Sequence, residues 1–142
     1  MNQDTLPLAP ARFMRVLHAA LVAGCVMLGV VFVFMVGAQG RSRDDVATLA
    51  TACSAIGVVL LAVAALVLRR RVPTRSAQDS PDLFWSNAQT RTFALVLWAV
   101  TEGASLIGWV GYYLTGSTAP AVVAVLAIVM LVWRRPGSLE RA

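Results

Sequence analysis

The segment that decides the fold is Thr92–Leu114, TFALVLWAVTEGASLIGWVGYYL. A helix needs about 20 mostly apolar residues to cross a bilayer, and this segment is long enough. Its one charge, Glu102, lies near the middle, where a carboxylate costs roughly 2–3 kcal/mol on insertion scales. Small residues recur on one helical face and would let another helix approach closely. These residues are Thr101, Ala104, Gly108 and Gly111. We therefore expect the rest of the chain to surround this segment.

The composition is typical of an integral membrane protein with a single membrane domain, residues 1–142. Hydrophobic residues make up 58% of the 142 and charged residues only 13%, which leaves no room for a separate soluble domain. The net charge is +5, and all of the Lys and Arg positions are arginine. Because they flank apolar runs, they indicate membrane anchoring and not a nucleic-acid surface. The absence of lysine beside abundant Arg, Ala and Val is typical of a GC-rich bacterial source.

Four apolar runs predict four spanning helices, at about 12–36, 46–68, 87–114 and 119–134, with a loop at 69–86. A signal peptide is the alternative for the first run, since Val36-Gly37-Ala38 resembles a cleavage site. The run of about 20 residues exceeds the ~7–15 of a signal peptide, so we interpret it as a helix. Ser42 with Asp45 predicts a capping box before the second helix. Ser80-Pro81-Asp82 predicts a short helical or irregular piece inside the loop.

The arginines predict the orientation. Two precede the first helix, five lie between the second and third, and three follow the fourth, all on one side of the membrane. The other side carries only Arg41 and Arg43, which are offset by Asp44 and Asp45. By the positive-inside rule both termini are cytoplasmic. The prediction is an all-α bundle of four transmembrane helices, arranged as two hairpins, in a bacterial inner membrane.

Two further residue classes predict packing faces and interface anchors. Small residues at helical spacing on three helices favour close packing, and aromatic residues near helix ends favour the headgroup level. Trp98 is an exception because it lies within the membrane, where it could shield Glu102 or face lipid. The predicted packing residues are Ala20, Gly24, Ser54, Gly57, Ala104, Gly108 and Gly111, and the predicted anchors are Trp85, Trp109, Tyr112, Tyr113 and Trp133.

Glu102 is the sharpest candidate for chemistry. Intramembrane carboxylates are functional by default, so it could carry a proton, ligate a cation or donate to a bound group. The structural alternative is a neutral carboxyl that joins helices through Thr51, Ser54 or Ser105. Because no second acid or base lies at that depth, the sequence does not choose between the functional and the structural interpretation.

The remaining reactive residues favour neither a metal site nor catalysis. His18 lies one turn past Arg15 and is predicted to be a solvated interfacial anchor; the alternative is a ligand to a haem or pigment. Cys25 and Cys53 lie inside apolar runs and are predicted to act as small apolar residues, with a disulfide as the alternative. There is no nucleophile elbow, phosphate loop or metal-binding cluster, so the sequence predicts no enzyme and no resident cofactor, although lipid or pigment contact remains open.

Two resemblances bear on function. Arg15-Val-Leu-His18, Glu102-Gly-Ala-Ser-Leu106 and Tyr113-Leu-Thr-Gly116 resemble motifs of a loose group of small four-helix bacterial membrane proteins, mostly uncharacterised. That resemblance implies four helices and no assigned activity. Glu102 followed by Gly108 is similar to the carboxylate helix of the proteolipid subunit of rotary ATPases, which implies proton or sodium binding at Glu102. That family's run of alternating glycines is missing here, and its carboxylate lies on the second helix of a hairpin, not the first.

The sequence therefore favours a non-catalytic accessory or scaffolding subunit of a larger membrane assembly, with an energy-converting assembly as one candidate. Its expected partners are the lipid bilayer and other transmembrane proteins. The alternative is a proton- or cation-conducting unit centred on Glu102. A small-molecule transporter ranks third.

Overall fold

The computed structural model describes residues 9–39, 46–76 and 78–140, and these ranges contain helices and connecting segments but no strand. The predicted all-α class is thus confirmed. The capping box at Ser42 and Asp45, and the charges from Arg41 to Asp45, lie outside the described residues. So do most of the N-terminal tail and Arg141.

Four main helices and two short ones make up the described chain. Helix α1 spans Pro10–Gln39, α2 spans Ala47–Arg71, α4 spans Ala88–Thr115 and α5 spans Thr118–Trp133. The short helices are α3, Pro81–Ser86, and α6, Pro136–Leu139. By length and hydropathy, α1, α2 and α4 can each cross a membrane. Helix α5 is apolar but shorter, with 16 residues.

The capping signals explain where α3 and α4 begin. The Ser80 hydroxyl accepts a hydrogen bond from the Leu83 N–H at 3.2 Å, and Pro81 occupies the first turn, so a short helix does form at the predicted start. Asn87 starts α4 in the same way, since its Oδ1 accepts from the Gln89 N–H at 2.9 Å.

A tight turn ends α4 and folds α5 back against it. Gly116 adopts a left-handed conformation, with φ of 67°, and its N–H donates to the Tyr112 carbonyl at 2.7 Å. A side chain would be strained at this position. Pro120 then lies in the first turn of α5, where its missing N–H has no helical partner to lose.

Helix α2 contains a π-helical stretch, Ala64–Leu68. The Arg69 N–H closes it by donating to the Ala64 carbonyl, five residues earlier instead of four. Ala64 is fully buried at this widened turn. The extra residue rotates the three arginines that follow relative to the rest of α2.

Helix α4 lies at the centre of the molecule and contacts α1, α2, α3 and α5. The main apolar cluster gathers where the starts of α1 and α4 meet the ends of α2 and α5; we call this the basic end. Its largest fully buried side chains are Met14, Trp85, Leu97, Trp98, Leu131 and Leu139.

Candidate functional site

The small-residue face of α4 packs against α2 and α5. A Cβ added to Gly108 would lie 2.6 Å from the Pro120 carbonyl oxygen and 2.8 Å from Ala124 Cβ. A Cβ on Gly111 would lie 2.7 Å from Cys53 Cβ. Both distances are too short for a side chain, so glycine is what allows these helix backbones to approach this closely.

The other predicted packing residues divide between internal and outer faces. Gly57 and Ala104 lie at the contact of α2 and α4, where a Cβ on Gly57 would also meet Val123 of α5 at 2.6 Å. Ala20 and Gly24 instead lie on an exposed face of α1, and no atom of another helix comes within 4 Å of a Cβ built on Gly24. The α1 small-residue face is therefore unused by the chain's own helices.

Glu102 lies midway along α4, fourteen residues after Ala88 and thirteen before Thr115. It is half-buried and makes no hydrogen bond or ion pair with any residue that the structure describes. The thiol of Cys25 on α1 lies close enough to interact electrostatically with the carboxylate. The site is thus a single carboxyl, open on one side, at mid-helix depth.

Two of the three hydroxyl groups predicted to bond Glu102 are engaged elsewhere. Thr51 Oγ1 donates to the Ala47 carbonyl at 2.9 Å, and Ser54 Oγ donates to the Ala50 carbonyl at 2.8 Å. Both are bonds to the preceding turn of the same helix, so the hydrogen of each hydroxyl is already donated and is not available to Glu102. Ser105 is buried next to the Cys25 thiol, and its Oγ meets no partner with hydrogen-bond geometry among the described residues.

Thr51 and Ser54 line a cavity of about 480 Å³ at the end opposite the basic end. Hydroxyls of Thr115 and Ser117 also line it, whereas Glu102 does not. The hollow that these hydroxyl-bearing residues line is therefore separate from the carboxyl.

His18 is buried, and the prediction of a solvated anchor is wrong. Its side chain is 6% exposed, its ring packs edge-on against Trp98 with centroids 4.8 Å apart, and its Nε2 donates to the Leu131 carbonyl at 3.0 Å. Helix packing at the basic end thus removes His18 from the interface. Because Nε2 carries the hydrogen in this bond, only Nδ1 keeps a lone pair that a metal could use, and the described residues hold no cluster of three or more potential metal ligands.

A polar network surrounds Trp85 at the basic end, where the sequence predicted an exposed anchor. Trp85 is fully buried, and its Nε1 donates to Glu140 Oε1 at 2.9 Å. Glu140 also pairs with Arg15, at 3.2 Å. The Ala11 N–H donates to Asp82 Oδ1 at 3.1 Å, which ties the start of α1 to α3. Trp85 is thus enclosed by the protein, beside the rings of Phe84 and Trp98, and does not present its side chain to lipid as an anchor would.

The other predicted anchors differ in exposure. Trp109 is only 7% exposed and packs over Gly29 of α1, so it serves helix packing. Tyr112 and Tyr113 are half-buried, and Tyr113 stacks on Phe32 with centroids 4.9 Å apart. Trp133 is 72% exposed and remains free to contact a lipid headgroup region. Cys25 and Cys53 are free thiols.

Sequence reasoning missed the Trp85–Glu140–Arg15 network altogether. Glu140 lies near the end of a short tail, 125 residues from Arg15, and no local pattern links the two. Only the return of α5 to the start of α1 brings them together.

Neither the protein-family models nor the curated proteins nor the solved structures contain a match to this chain.

Proposed function

We propose that this chain is a non-catalytic subunit that packs sideways against partner proteins in a membrane assembly. The observation that carries the proposal is the half-buried carboxyl of Glu102, which lies midway along a helix long enough to cross a membrane and has no partner among the described residues of its own chain. An unpaired carboxyl at that depth is costly in lipid, so it favours a polar partner group supplied by another chain.

The outer faces of the helices support the same proposal. Only 17% of the most apolar part of α1 and 11% of that of α2 is buried inside the protein. Lipid covers such surfaces well, so their exposure alone does not imply a protein partner. The exposed small-residue face at Ala20 and Gly24 adds a specific reason, since small residues favour close helix contact within a bilayer.

A proton- or cation-conducting unit centred on Glu102 is the second candidate. The same open carboxyl supports it, and an oligomer would then supply the missing walls of the path. In the described residues no second acidic or basic side chain bonds Glu102, and the 480 Å³ cavity does not reach it. These two features make conduction by the single chain the weaker candidate.

Two substitutions at residue 102 separate an external partner from ion movement. Glu102→Gln keeps the shape and the hydrogen-bonding capacity of a protonated carboxyl but cannot release a proton. Glu102→Leu removes the polar group. For a subunit whose Glu102 meets a partner, the Gln variant should stay in the native complex and the Leu variant should dissociate from it.

The readouts are the size of the complex extracted from native membranes, the melting temperature of the purified chain and proton flux into vesicles. Since Glu102 has no hydrogen-bond or ion-pair partner in the described part of its own chain, both variants should melt within a few degrees of the parent once purified. Val110→Leu, on an exposed position of α4, serves as the control. Flux that vanishes in the Gln variant while the complex stays intact would overturn the accessory-subunit proposal.

A further inference from the structure

Two arginines at the basic end have guanidinium groups that the protein leaves partly unsatisfied. Arg69 follows the π-helical turn of α2, and Arg134 follows the last residue of α5. The Nε atom of each is buried and has no hydrogen-bond partner among the described residues. A buried donor without a partner is costly, and more so when it is charged.

The two positive charges lie at the same end of the contact between α2 and α5. Leu68, next to Arg69, and Leu131, one turn before Arg134, pack in the same apolar cluster. Burial lowers the pKa of Arg134 most, and the positive charge of Arg69 lowers it further. Both groups nevertheless stay charged at neutral pH, because arginine does not lose its proton in proteins. The described residues contain one ion pair, Arg15 with Glu140, so no carboxylate neutralises Arg69 or Arg134. The arrangement thus brings together two positive charges, each with an N–H donor that has no acceptor.

The backbone geometry holds this pair in place. The Arg69 N–H makes the i to i−5 bond that closes the π turn, and single π turns are frequent at functional sites. On the other side, Trp98 Nε1 donates to the Arg134 carbonyl at 2.9 Å, which fixes the end of α5 against α4.

The same bond sets the level of Arg134 along α4. Trp98 is seven residues beyond Arg91 along α4, which corresponds to about 10 Å at 1.5 Å per residue. The end of α5 at Arg134 is thus held further along α4 than the exposed Arg91 at its start. Positive charge at that level is suited to the phosphate layer of a bilayer.

The side chains just before each arginine are apolar and exposed. On α2 these are Leu66, 62% exposed, and Val67; on α5 they are Val132 and Trp133. A molecule that placed its anionic group on the arginines could lay an acyl chain along these apolar side chains. This favours a lipid over a free anion.

We propose that Arg69 and Arg134 bind the phosphate group of an anionic phospholipid at the basic end of the helices. A guanidinium presents its N–H groups in a planar fork that matches phosphate oxygens, so two forks can hold one phosphate by several charge-assisted hydrogen bonds. Basic pockets between transmembrane helices on the cytoplasmic side are suited to such headgroups. This proposal needs the chain to be membrane-embedded but does not depend on a protein partner.

The test measures lipid retention on the purified full chain by native mass spectrometry from detergent. The probes are phosphatidylglycerol, phosphatidylcholine and inorganic phosphate. We expect phosphatidylglycerol to be retained over phosphatidylcholine, and Arg69→Gln and Arg134→Gln each to weaken that retention about tenfold or more, as expected for charged hydrogen bonds. Arg91→Gln, an exposed arginine at the same end, should change it less than about twofold.

Further variants distinguish a loss of lipid binding from misfolding. Arg69→Lys and Arg134→Lys keep the charge but lose the fork, so they should bind between the parent and the Gln variants while melting near the parent temperature. Equal retention of the two lipids, or an equal loss with Arg91→Gln, would overturn the proposal. Displacement of phosphatidylglycerol by millimolar inorganic phosphate would overturn the lipid assignment and identify a free-phosphate site.

Discussion

Gly108 of α4 and Ala124 of α5 are in such close contact that a Cβ at residue 108 would lie 2.8 Å from the Ala124 Cβ and equally close to its backbone nitrogen. The same Cβ would lie 2.6 Å from the Pro120 carbonyl oxygen. Backbone atoms cannot move aside as flexible side chains do. The separation of these two helices is therefore set by the lack of a side chain at one position.

Gly108→Ala should lower the stability of the purified protein by about 1–3 kcal/mol, because overpacking forces α4 and α5 apart. Gly103→Ala is the matched control on the same helix. No atom lies within 4 Å of a Cβ built there, and alanine favours the helix by about 1 kcal/mol over glycine. The measurement is thermal melting in detergent. Equal melting temperatures for the two variants would show that α4 and α5 do not meet at Gly108.

The packing of α4 was predictable because it depends on helical periodicity alone. Spacings of three and four residues bring Ala104, Gly108 and Gly111 onto one face whatever surrounds the helix, and the structure places all three in contacts with α2 or α5. The all-α class follows in the same way from long apolar runs.

The surroundings of His18 and Trp85 were not predictable from local pattern. His18 lies near the start of an apolar run and Trp85 in a loop between two such runs, where composition indicates exposure to water or headgroups. His18 is instead buried against Trp98 of α4 and Leu131 of α5, and Trp85 bonds Glu140, so both depend on contacts between residues more than 50 positions apart. Such contacts follow from tertiary packing and leave no periodic signal.

Trp98→Phe should destabilise the protein by about 1–3 kcal/mol, since it removes the donor that satisfies the Arg134 carbonyl at the end of α5. Trp133→Phe makes the same chemical change at a residue that is 72% exposed and should stay within about 0.5 kcal/mol of the parent. Chemical unfolding in mixed micelles gives both values. If Trp133→Phe proved the more damaging change, the Trp98 bond would not hold the two helices together.

Glu140 has two roles that substitutions can separate. Glu140→Gln removes the ion pair with Arg15, which is 56% exposed, so we expect a cost of about 0–1 kcal/mol that shrinks in high salt. The amide oxygen can still accept from Trp85. Glu140→Ala also leaves the buried Trp85 N–H unpaired and should cost about 1–3 kcal/mol.

Arg15→Gln supplies the control for the ion pair alone and should match Glu140→Gln in size and salt dependence. Melting curves at low and high salt would measure all three variants. A cost for Glu140→Gln as large as that for Glu140→Ala would mean that the charge, and not the hydrogen bond to Trp85, is what the basic end needs.

The last prediction concerns the path of the chain through the membrane, and α5 is its critical part. At 1.5 Å per residue its 16 residues reach about 24 Å, short of a hydrocarbon core of about 30 Å. We expect it to cross nevertheless, because Arg134 and Arg135 can extend their charges to the surface and the bilayer can thin locally.

Reporter domains fused after Arg75 and at the C-terminus should then both be active on the cytoplasmic side, and one fused after Ala38 on the opposite side. A third reporter, fused after Gly116, tests α5 alone. If α5 crosses the membrane, this reporter should lie on the side opposite to the C-terminal reporter. Cytoplasmic activity at both Ala38 and Arg75 would contradict a crossing by α2, and matching sides for Gly116 and the C-terminus would leave three spanning helices with α5 lying within one leaflet.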